Sequence, residues 1–192
     1  LIDMASRMEG HPDNVAPALI GGLVVSAQLD DELIYRKIEL TKELACVVAV
    51  PEYELSTTKA RSVLPGTISL NDAVFNMSRT GLLVYAFLKG DYALLGETME
   101  DRMHQPYRIS LIPGMKEAAD AAKKANALAF ALSGAGPSVV AFCSSQHQNK
   151  VGLALQNAFV NKGISCKTLY LSPRNIGVEI SEEERRNINE HN

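Results

Sequence analysis

Tryptophan is absent from this 192-residue chain, and all aromatic residues together make up 6% of it. Lys and Arg number 19 against 22 Asp and Glu, so the formal net charge is −3, and the basic residues form no run. Proteins that bind nucleic acid usually present a basic patch, so these features argue against a nucleic-acid partner. A local arginine can still bind a small anion, because net charge does not describe a single pocket.

Cysteine is scarce, and its three positions lack the short paired spacings of a zinc site: Cys46, Cys143 and Cys166. All three lie in apolar or alternating runs, which is typical of buried thiols in a reducing compartment. No apolar run approaches the ~20 residues that a membrane-spanning helix needs. The sequence therefore predicts a cytoplasmic protein without disulfides, zinc or a membrane span. The 46% of hydrophobic and 21% of charged residues are typical of a globular chain.

The chain opens on Leu1-Ile2-Asp3, without an initiator methionine, and we expect it to be a piece of a longer polypeptide. Residues 1–8 predict a helix, because four apolar residues recur at the spacing of one helical face: Leu1, Met4, Ala5 and Met8. The next predicted elements are a loop over 9–14, a short helix that ends at Gly21-Gly22, and strands over 23–29 and 32–40.

From residue 43 onward the pattern predicts a separate series of strands and helices. The β-branched run 43–50 predicts a central strand, and 52–66 a loop with a short helix. Helical spacing extends from Asn71 to Met103 with a break at Gly90-Asp91, and its first part keeps one face: Val74, Met77, Gly81, Val84, Tyr85 and Leu88. The remaining elements are a helix over 114–127, a strand–turn–strand over 127–144, a helix with Gly163 as its C-cap, and a strand over 165–172.

The order β, α, α, α, β–β, α, β is a split β-α-β pattern with an enlarged first helical connection. It predicts an α+β fold with a ferredoxin-like arrangement. Residues 1–42 do not fit inside that pattern, so we interpret them as the end of a preceding domain. The predicted organisation is therefore an incomplete first domain over 1–42, a ferredoxin-like domain over 43–180, and a charged tail over 181–192.

Three polar segments stand out from this framework, and the first is Glu9-Gly10-His11-Pro12-Asp13-Asn14. Two carboxylates, an imidazole and an amide within six residues are more than a turn requires, although an ordinary loop remains an alternative. One glutamate together with phosphate oxygens and water is a typical way to hold Mg²⁺. The segment therefore indicates a metal site or a site for a polar substrate.

The second segment runs from Ser56 to Arg61, with Arg108 as a candidate companion. Arginine offers a planar pair of donors that can clamp a carboxylate or phosphate. Thr57 and Arg61 lie four residues apart and would share a face on one helical turn. The alternative for each arginine is an ordinary surface ion pair.

The third segment is the glycine-rich turn Ser133-Gly134-Ala135-Gly136-Pro137-Ser138 between two strands. Glycine lets backbone N–H groups turn outward and approach a ligand, which favours an anion site. A hairpin turn explains one glycine well and the six small residues less well. The spacing matches neither the P-loop nor the dinucleotide-binding motif.

Four ordered blocks carry a resemblance that covers nearly the whole chain. LSGAGPSVVAF (132–142) resembles the C-terminal glycine motif of the GHMP small-molecule kinases. EGHPDNVAPALIGGLVVS (9–26), STTKARSVLP (56–65) and QPYRISLIP (105–113) resemble blocks of the homoserine kinases within that superfamily. The resemblance implies that residues 43–180 form a GHMP kinase C-terminal domain. Residues 1–42 would then be the last third of a ribosomal-protein-S5-like N-terminal domain.

The resemblance also implies roles for matching residues. Glu9 matches the carboxylate that holds Mg²⁺ on the ATP phosphates. His11 is the candidate for a catalytic base and for the most direct contact with the substrate. His11, Asp13 and Asn14 lie in the segment that lines the homoserine pocket.

Further matches concern the substrate carboxylate and the phosphates. Thr57, Arg61 and Arg108 match residues near bound homoserine, and the arginines would grip its α-carboxylate. The glycine motif would shape the floor of the site beside substrate and ATP: Ser133, Gly134, Ala135 and Gly136.

The implied activity is phosphorylation of L-homoserine by ATP and Mg²⁺ in threonine biosynthesis, and a homodimer is left open. The resembling family carries an ATP loop, P-x-x-x-G-L-G-S-S-A, upstream of these blocks. Nothing in the 192 residues replaces it, so we expect no turnover by the chain alone. Two alternatives are kept: an amino-acid-binding module without catalysis, and a GHMP kinase for another hydroxylated substrate such as mevalonate or a sugar.

Overall fold

The computed structural model describes residues 1–30 and 32–179. It divides into two compact units, one of residues 1–40 with the chain from Arg174, and one of residues 41–173. The tail predicted over 181–192 lies outside the described residues. Among the helices described, none is long and apolar enough to cross a membrane.

The first unit begins with two helices, α1 (Ile2–Glu9) and α2 (Val15–Ile20). An antiparallel hairpin follows, β1 (Leu23–Leu29) paired with β2 (Glu32–Ile38). All four elements were predicted, although β2 ends two residues earlier than expected. The apolar side chains that predicted α1 do not form a core, because Leu1, Met4 and Met8 are exposed.

Residues 174–179 pack within this first unit. The Asn175 side chain accepts a hydrogen bond from the Leu40 N–H at 2.9 Å and donates to the Leu40 carbonyl oxygen at 2.8 Å. The Gly22 N–H donates to the Arg174 carbonyl oxygen at 2.8 Å. Gly21 has φ +72°, and a Cβ there would lie 2.5 Å from the backbone carbon of Ile176, so only glycine fits.

The second unit is built on a four-stranded antiparallel sheet. Its strands are β3 (Leu44–Pro51), β4 (Ala129–Leu132), β5 (Val139–Ser144) and β6 (Cys166–Leu171). Their order across the sheet is β4-β5-β3-β6, with β3 antiparallel to both β5 and β6. Across the sheet, β3 therefore lies between β5 and β6, while β4 and β6 are the two edge strands. This order confirms the predicted ferredoxin-like arrangement and the central place of β3.

Six helices surround the sheet: α3 (Thr57–Ser62), α4 (Leu70–Lys89), α5 (Leu95–Thr98), α6 (Gln105–Arg108), α7 (Met115–Lys124) and α8 (Gln148–Val160). The core lies between α7, α8 and one face of the sheet, where alternate strand residues are fully buried. Its most buried members include Val47, Val139, Ile112, Leu155 and Phe159.

Three helix boundaries correct the predictions. The helix expected after Gly90 is only the four residues of α5, because short 3₁₀ and irregular turns occupy much of the segment to Met103. The helix predicted over 114–127 ends at Lys124. Gly163 is not the C-cap of α8, since the helix ends at Val160 with Asn161 as its cap, and Gly163 turns the chain two residues later with φ +77°.

Candidate functional site

In the first unit, the polar segment after α1 forms a loop between two short helices. Gly10 ends α1 in the left-handed region with φ +90°, and its N–H donates to the Ser6 carbonyl oxygen at 2.8 Å. The Pro12 carbonyl oxygen accepts from the Ala16 N–H at 2.9 Å and so starts α2. The backbone of the loop is therefore secured by its flanking helices, while its polar side chains are left for other contacts.

His11 carries an unusual feature for a loop residue. Its Nδ1 is buried and has no hydrogen-bond partner among the described residues. The nearest acid is Asp13, whose Oδ2 lies 3.8 Å away, beyond hydrogen-bond distance. A buried nitrogen without a partner loses its hydration and gains nothing in return, so a ligand atom that paired with it would stabilise the site.

The other polar side chains of the loop are exposed. Asn14 is the N-cap residue of α2, yet its side chain makes no capping hydrogen bond. Glu9 occupies the last turn of α1, where the helix dipole is negative and a cation is favoured. No group of three His, Cys, Asp or Glu in residues 1–30 and 32–179 could hold a metal ion by itself. The role of Glu9 as a metal ligand therefore stays a prediction, and the described residues supply no second and third ligand beside it.

In the second unit, Arg108 is buried, with 9% of its surface exposed. Its Nε–H donates to the Ala60 carbonyl oxygen of α3 at 3.0 Å, and one terminal nitrogen lies 3.4 Å from His104 Nδ1. Neither Arg108 nor Arg61 forms an ion pair with a carboxylate in the described part of the chain. The surface ion pair that was the alternative role for each arginine is therefore not formed within the described residues.

The helix α3 presents the second polar segment. Ser56 caps it, and its Oγ accepts a hydrogen bond from the Lys59 N–H at 3.2 Å. Thr57 and Arg61 are exposed and stand one turn apart on this helix. Ala60, between them, is fully buried and contacts Arg108. The structure thus brings the α3 segment and Arg108 together through Ala60.

A carboxylate that sequence reasoning did not single out secures α6. Asp101 accepts hydrogen bonds from three successive backbone N–H groups and from one side chain: Met103 at 2.8 Å, His104 at 2.9 Å, Gln105 at 2.5 Å, and Asn76 Nδ2 at 2.8 Å. Burial alone would raise the pKa of this carboxyl, but the four hydrogen bonds outweigh it and lower the pKa below its usual value. Asp101 therefore stays ionised and holds the start of the helix that carries Arg108. The sequence feature that could have identified Asp101 is an aspartate three to four residues before a short helix.

His104 lies between this carboxylate and Arg108. Burial lowers the pKa of its imidazole, Asp101 opposes that shift, and the positive charge of Arg108 adds to it. The net direction is downward, so the ring is neutral around pH 7. A neutral ring can face the guanidinium of Arg108 without repulsion.

The glycine-rich turn begins where α6 meets the sheet. Gln105 Oε1 accepts a hydrogen bond from the Leu132 N–H at 2.9 Å, the last residue of β4. Within the turn, the Ser133 N–H donates to the Ser138 carbonyl oxygen at 2.9 Å, and the Gly136 N–H donates to the Ser133 carbonyl oxygen at 3.1 Å. The N–H groups of Gly134 and Ala135 have no acceptor among the described residues. Two adjacent donors are thus available for an anion.

The two glycines of the turn serve different purposes. Gly136 has φ +84°, and a Cβ there would lie 2.8 Å from Ile112 Cδ1 and 3.7 Å from a Leu55 methyl group just before α3. Gly134 has φ +61°, but a Cβ there would meet nothing within 4 Å. The absence of a side chain at Gly136 therefore lets the turn pack against the core, whereas the space beside Gly134 is open.

The predicted site residues divide between the two units. Glu9, His11, Asp13 and Asn14 belong to the first. The second contains the remainder: Thr57, Arg61, Arg108, Ser133, Gly134, Ala135 and Gly136. There α3 contacts Arg108 through Ala60, and α6 contacts the end of β4 through Gln105 and Leu132.

Known proteins are similar to this chain over most of its length. Residues 83–161 match the family "GHMP kinases C terminal". The chain is 50% identical to homoserine kinase of Moorella thermoacetica over 180 residues, which are 94% of this chain and 60% of the relative. It is 38% identical to homoserine kinase of Aquifex aeolicus, again over 180 residues, with 60% of that relative covered. The chain thus spans about 60% of the length of these curated relatives.

Solved structures extend the likeness to three dimensions. The crystal structure of homoserine kinase from Cytophaga hutchinsonii matches with a TM-score of 0.82 and 32% identity, over 91% of this chain and 56% of that one. Mevalonate kinase of L. major, at 19% identity and a TM-score of 0.60 over 81% of this chain and 51% of that one, shares the fold. Residues 83–161 are therefore similar to the C-terminal domain of the GHMP kinases, and the chain as a whole is similar to the homoserine kinases.

Proposed function

We propose that this chain carries the homoserine-binding side of a homoserine kinase. The reaction would be ATP plus L-homoserine giving O-phospho-L-homoserine and ADP, a step toward threonine in the cytoplasm. The observation that carries the proposal is the buried guanidinium of Arg108, which has no carboxylate partner among the described residues. The identity to homoserine kinases over 94% of the chain supports it.

A buried cation without a counter-ion is costly, because the guanidinium has lost water and gained only two uncharged partners. Its Nε–H is used by the Ala60 carbonyl oxygen, and one terminal nitrogen lies at the edge of hydrogen-bond range from His104. The remaining N–H groups can donate to an incoming carboxylate. The α-carboxylate of an amino-acid substrate would then supply the missing charge.

Arg61 and Thr57 would complete the grip on the amino acid. Both are exposed on α3, which Arg108 contacts through Ala60. Two arginines favour a substrate with an α-carboxylate over an uncharged sugar. This preference places L-homoserine ahead of a sugar, and the 50% identity to a homoserine kinase places it ahead of mevalonate, which also carries a carboxylate.

In the first unit, we assign His11 and its neighbours to substrate contacts. The unpartnered Nδ1 of His11 can pair with a polar atom of the substrate, and Asp13 and Asn14 offer further polar contacts. Glu9 fits as one ligand of Mg²⁺ bound to ATP phosphates, since its carboxylate is exposed at the negative end of α1. Mg²⁺ and ATP supply the phosphoryl group and neutralise its charge.

The free N–H groups of Gly134 and Ala135 can hold an anion beside the substrate. We assign them to a phosphate oxygen or to the substrate carboxylate. Phosphoryl transfer asks mainly for positioning and charge neutralisation, and the residues described are suited to these tasks. His11 is the single candidate for a base in this assignment, and binding the substrate is an equally suitable role for it.

Two other functions make different predictions. An amino-acid-binding module would bind L-homoserine regardless of Mg²⁺-ATP and would need no carboxylate at Glu9. A kinase for another substrate would phosphorylate mevalonate or a sugar in preference to homoserine. Both alternatives retain the same ferredoxin-like domain, so only ligand and turnover measurements separate them.

The test joins the missing ATP loop to this chain. The part of the Moorella thermoacetica homoserine kinase that precedes its aligned region is fused in frame to Leu1, and homoserine-dependent ADP release is measured with Mg²⁺-ATP. We expect turnover by the fusion and none by the 192-residue chain alone. Turnover by the chain alone would refute its expected inactivity. A fusion that binds homoserine without turnover would favour the binding module, and turnover with mevalonate or galactose alone would favour another substrate.

A further inference from the structure

The helix α6 is a single turn whose two ends contact different parts of the candidate site. Gln105 begins it, and its side chain bonds to Leu132 at the end of β4. Arg108 ends it and bonds to Ala60 of α3. A lone helical turn is unstable by itself, because nucleation fixes more of the backbone than its few hydrogen bonds repay. The position of α6 is therefore set by what its side chains and flanking residues contact.

The contact between Gln105 and Leu132 has a defined chemistry. A backbone N–H can only donate, so the atom that faces it at 2.9 Å is the carbonyl oxygen Oε1. The next residue, Ser133, donates its N–H to Ser138 across the hairpin, and successive N–H groups of a strand point to opposite sides. The Leu132 N–H therefore points to the outer side of β4, which is an edge strand. Gln105 supplies there the acceptor that a neighbouring strand would supply.

This hydrogen bond lies immediately before the free donors of the glycine-rich turn. The N–H groups of Gly134 and Ala135 follow Leu132 by two and three residues. Among the residues described, no other side chain forms a hydrogen bond with the backbone of 132–138. The hydrogen bonds within the turn join its own backbone groups. Gln105 is therefore the polar anchor that sets the turn against the rest of the second unit.

The backbone of Gln105 is itself held in place. Its N–H donates to Asp101 Oδ2 at 2.5 Å, and the side chain of Asp101 is 8% exposed. Asn76 of α4 donates to Asp101 Oδ1 at 2.8 Å and accepts from the Arg102 N–H at 3.0 Å. The start of α6 is thus bonded to α4, a helix of 20 residues. A side chain that projects from a fixed backbone can fix the position of the group that it contacts.

We propose that Gln105 is a positioning residue, which keeps the N–H groups of Gly134 and Ala135 at a fixed distance from the guanidinium of Arg108. This role rests on the proposed function, in which both groups hold ligand atoms. Gln105 and Arg108 are three residues apart on one turn, a rise of ~4.5 Å, so they move together. Phosphoryl transfer needs the reacting groups in register, and a displacement of ~1 Å can lower the rate by ~100-fold. Gln105 acts on the rate through the turn, without touching the substrate.

The kinetic test uses two substitutions of Gln105 in the fused enzyme. Gln105→Met removes the acceptor but keeps the length of the side chain, and it should lower kcat by at least ~10-fold because the turn is no longer fixed. KM for L-homoserine should change by less than ~3-fold, since Arg108 retains its bond to Ala60. Gln105→Glu keeps an acceptor oxygen for Leu132 and should restore kcat to within ~3-fold of the wild-type value. Failure of Gln105→Glu to restore kcat would overturn the positioning role, because the amide nitrogen would then be the group that matters.

Gln156→Met is the matched control. Gln156 lies on α8, is half-buried like Gln105, and donates to the carbonyl oxygen of Cys166 at the start of β6 at 3.0 Å. Each Met variant loses one hydrogen bond between a glutamine and a strand end, so urea unfolding should show a similar rise in the unfolding equilibrium constant, roughly 2- to 12-fold. Gln105→Met alone should lower kcat. An equal fall in kcat in both variants would overturn the proposal, and so would a rise in KM without a fall in kcat.

Amide exchange followed by NMR on the 192-residue chain tests the contact without any turnover. The Leu132 N–H should exchange at least ~10-fold faster in Gln105→Met than in the wild type, and the Gly134 and Ala135 signals should shift. Unchanged exchange at Leu132, or turn signals that do not shift, would overturn the proposal. A wild-type fusion that does not phosphorylate homoserine would refute the proposed function instead, and the exchange result would still decide whether Gln105 positions the turn.

Discussion

Arg108 and Ala60 are 48 residues apart in the chain, yet the Arg108 Nε–H donates to the Ala60 carbonyl oxygen at 3.0 Å. This hydrogen bond joins α6 to α3. It places a buried guanidinium next to the segment that carries Thr57 and Arg61. Because this hydrogen bond uses the Nε–H of Arg108, the N–H groups that remain available to a ligand are on its terminal nitrogens.

Arg108→Ala should reduce kcat/KM for L-homoserine in the fused enzyme by about 10- to 150-fold, equivalent to roughly 1.5–3 kcal/mol for a lost charge-assisted contact. Arg108→Lys retains the charge but not the planar pair of donors, so it should recover only part of the loss. Arg36→Ala is the control, because Arg36 is exposed and its side chain bonds, within residues 1–30 and 32–179, to the carbonyl of its neighbour Tyr35 alone. An unchanged kcat/KM in Arg108→Ala would refute the assignment.

The variant Arg61→Ala should separate an effect on substrate binding from an effect on stability. Its side chain is exposed and has no hydrogen-bond or ion-pair partner among the described residues, so Arg61→Ala should change the free energy of unfolding by less than about 0.5 kcal/mol. If Arg61 grips the carboxylate, kcat/KM for homoserine should still fall by about 10- to 150-fold. Urea unfolding and steady-state kinetics on the same sample test both halves. Loss of stability together with activity would point to a structural role.

His104 gives the protein a predicted dependence on pH. Burial lowers the pKa of its imidazole below the unfolded value, against the attraction of Asp101, and nearby Arg108 adds to the lowering. The unfolded chain therefore binds the proton more tightly than the folded one. The stability contributed by neutral His104 is complete above about pH 6.5 and falls as the pH drops toward the folded pKa.

The measurement is an NMR titration of the His104 ring, which should show a midpoint below about 6.5. Urea unfolding should show that His104→Gln removes part of the fall in stability between about pH 7.5 and pH 5.5. A ring midpoint above the unfolded value would mean that Asp101 dominates, and the sign of the dependence would reverse.

Much of the second unit follows from the sequence pattern. The order of elements from residue 43 predicted the sheet, because a split β-α-β order has one common antiparallel solution. The burial of Arg108 could not be predicted, since it depends on the Ala60 carbonyl brought near by the fold. The packing of Asn175 on Leu40 is similarly long-range, and no local spacing signals it.

The apolar periodicity of α4 shows a different limit. Val74, Met77, Tyr85 and Leu88 were correctly placed on one helical face. The pattern does not tell whether that face meets the core of its own chain or the surface of another, because both require the same apolar spacing. Only the fold shows that these side chains are exposed.

The two glycines of the turn should respond differently to alanine. At Gly136 a Cβ would lie 2.8 Å from Ile112 Cδ1 and 3.2 Å from a Leu132 methyl group, and φ is +84°. Because both strain and overlap oppose it, Gly136→Ala should lower the free energy of unfolding by about 1–3 kcal/mol. At Gly134 the left-handed φ of +61° alone opposes a side chain, so Gly134→Ala should cost only about 1 kcal/mol.

Ligand binding should show the opposite order, because Gly134 lies where the turn is open and contributes one of the two free N–H groups. A methyl group there would occupy the space that an anion needs. Calorimetric binding of L-homoserine to the fused enzyme, with and without Mg²⁺-ATP, should therefore weaken more in Gly134→Ala than in Gly136→Ala once the latter is measured below its unfolding transition. If both variants bind equally well, the free N–H groups of the turn take no part in holding the ligand, and the anion must be held by the arginines alone.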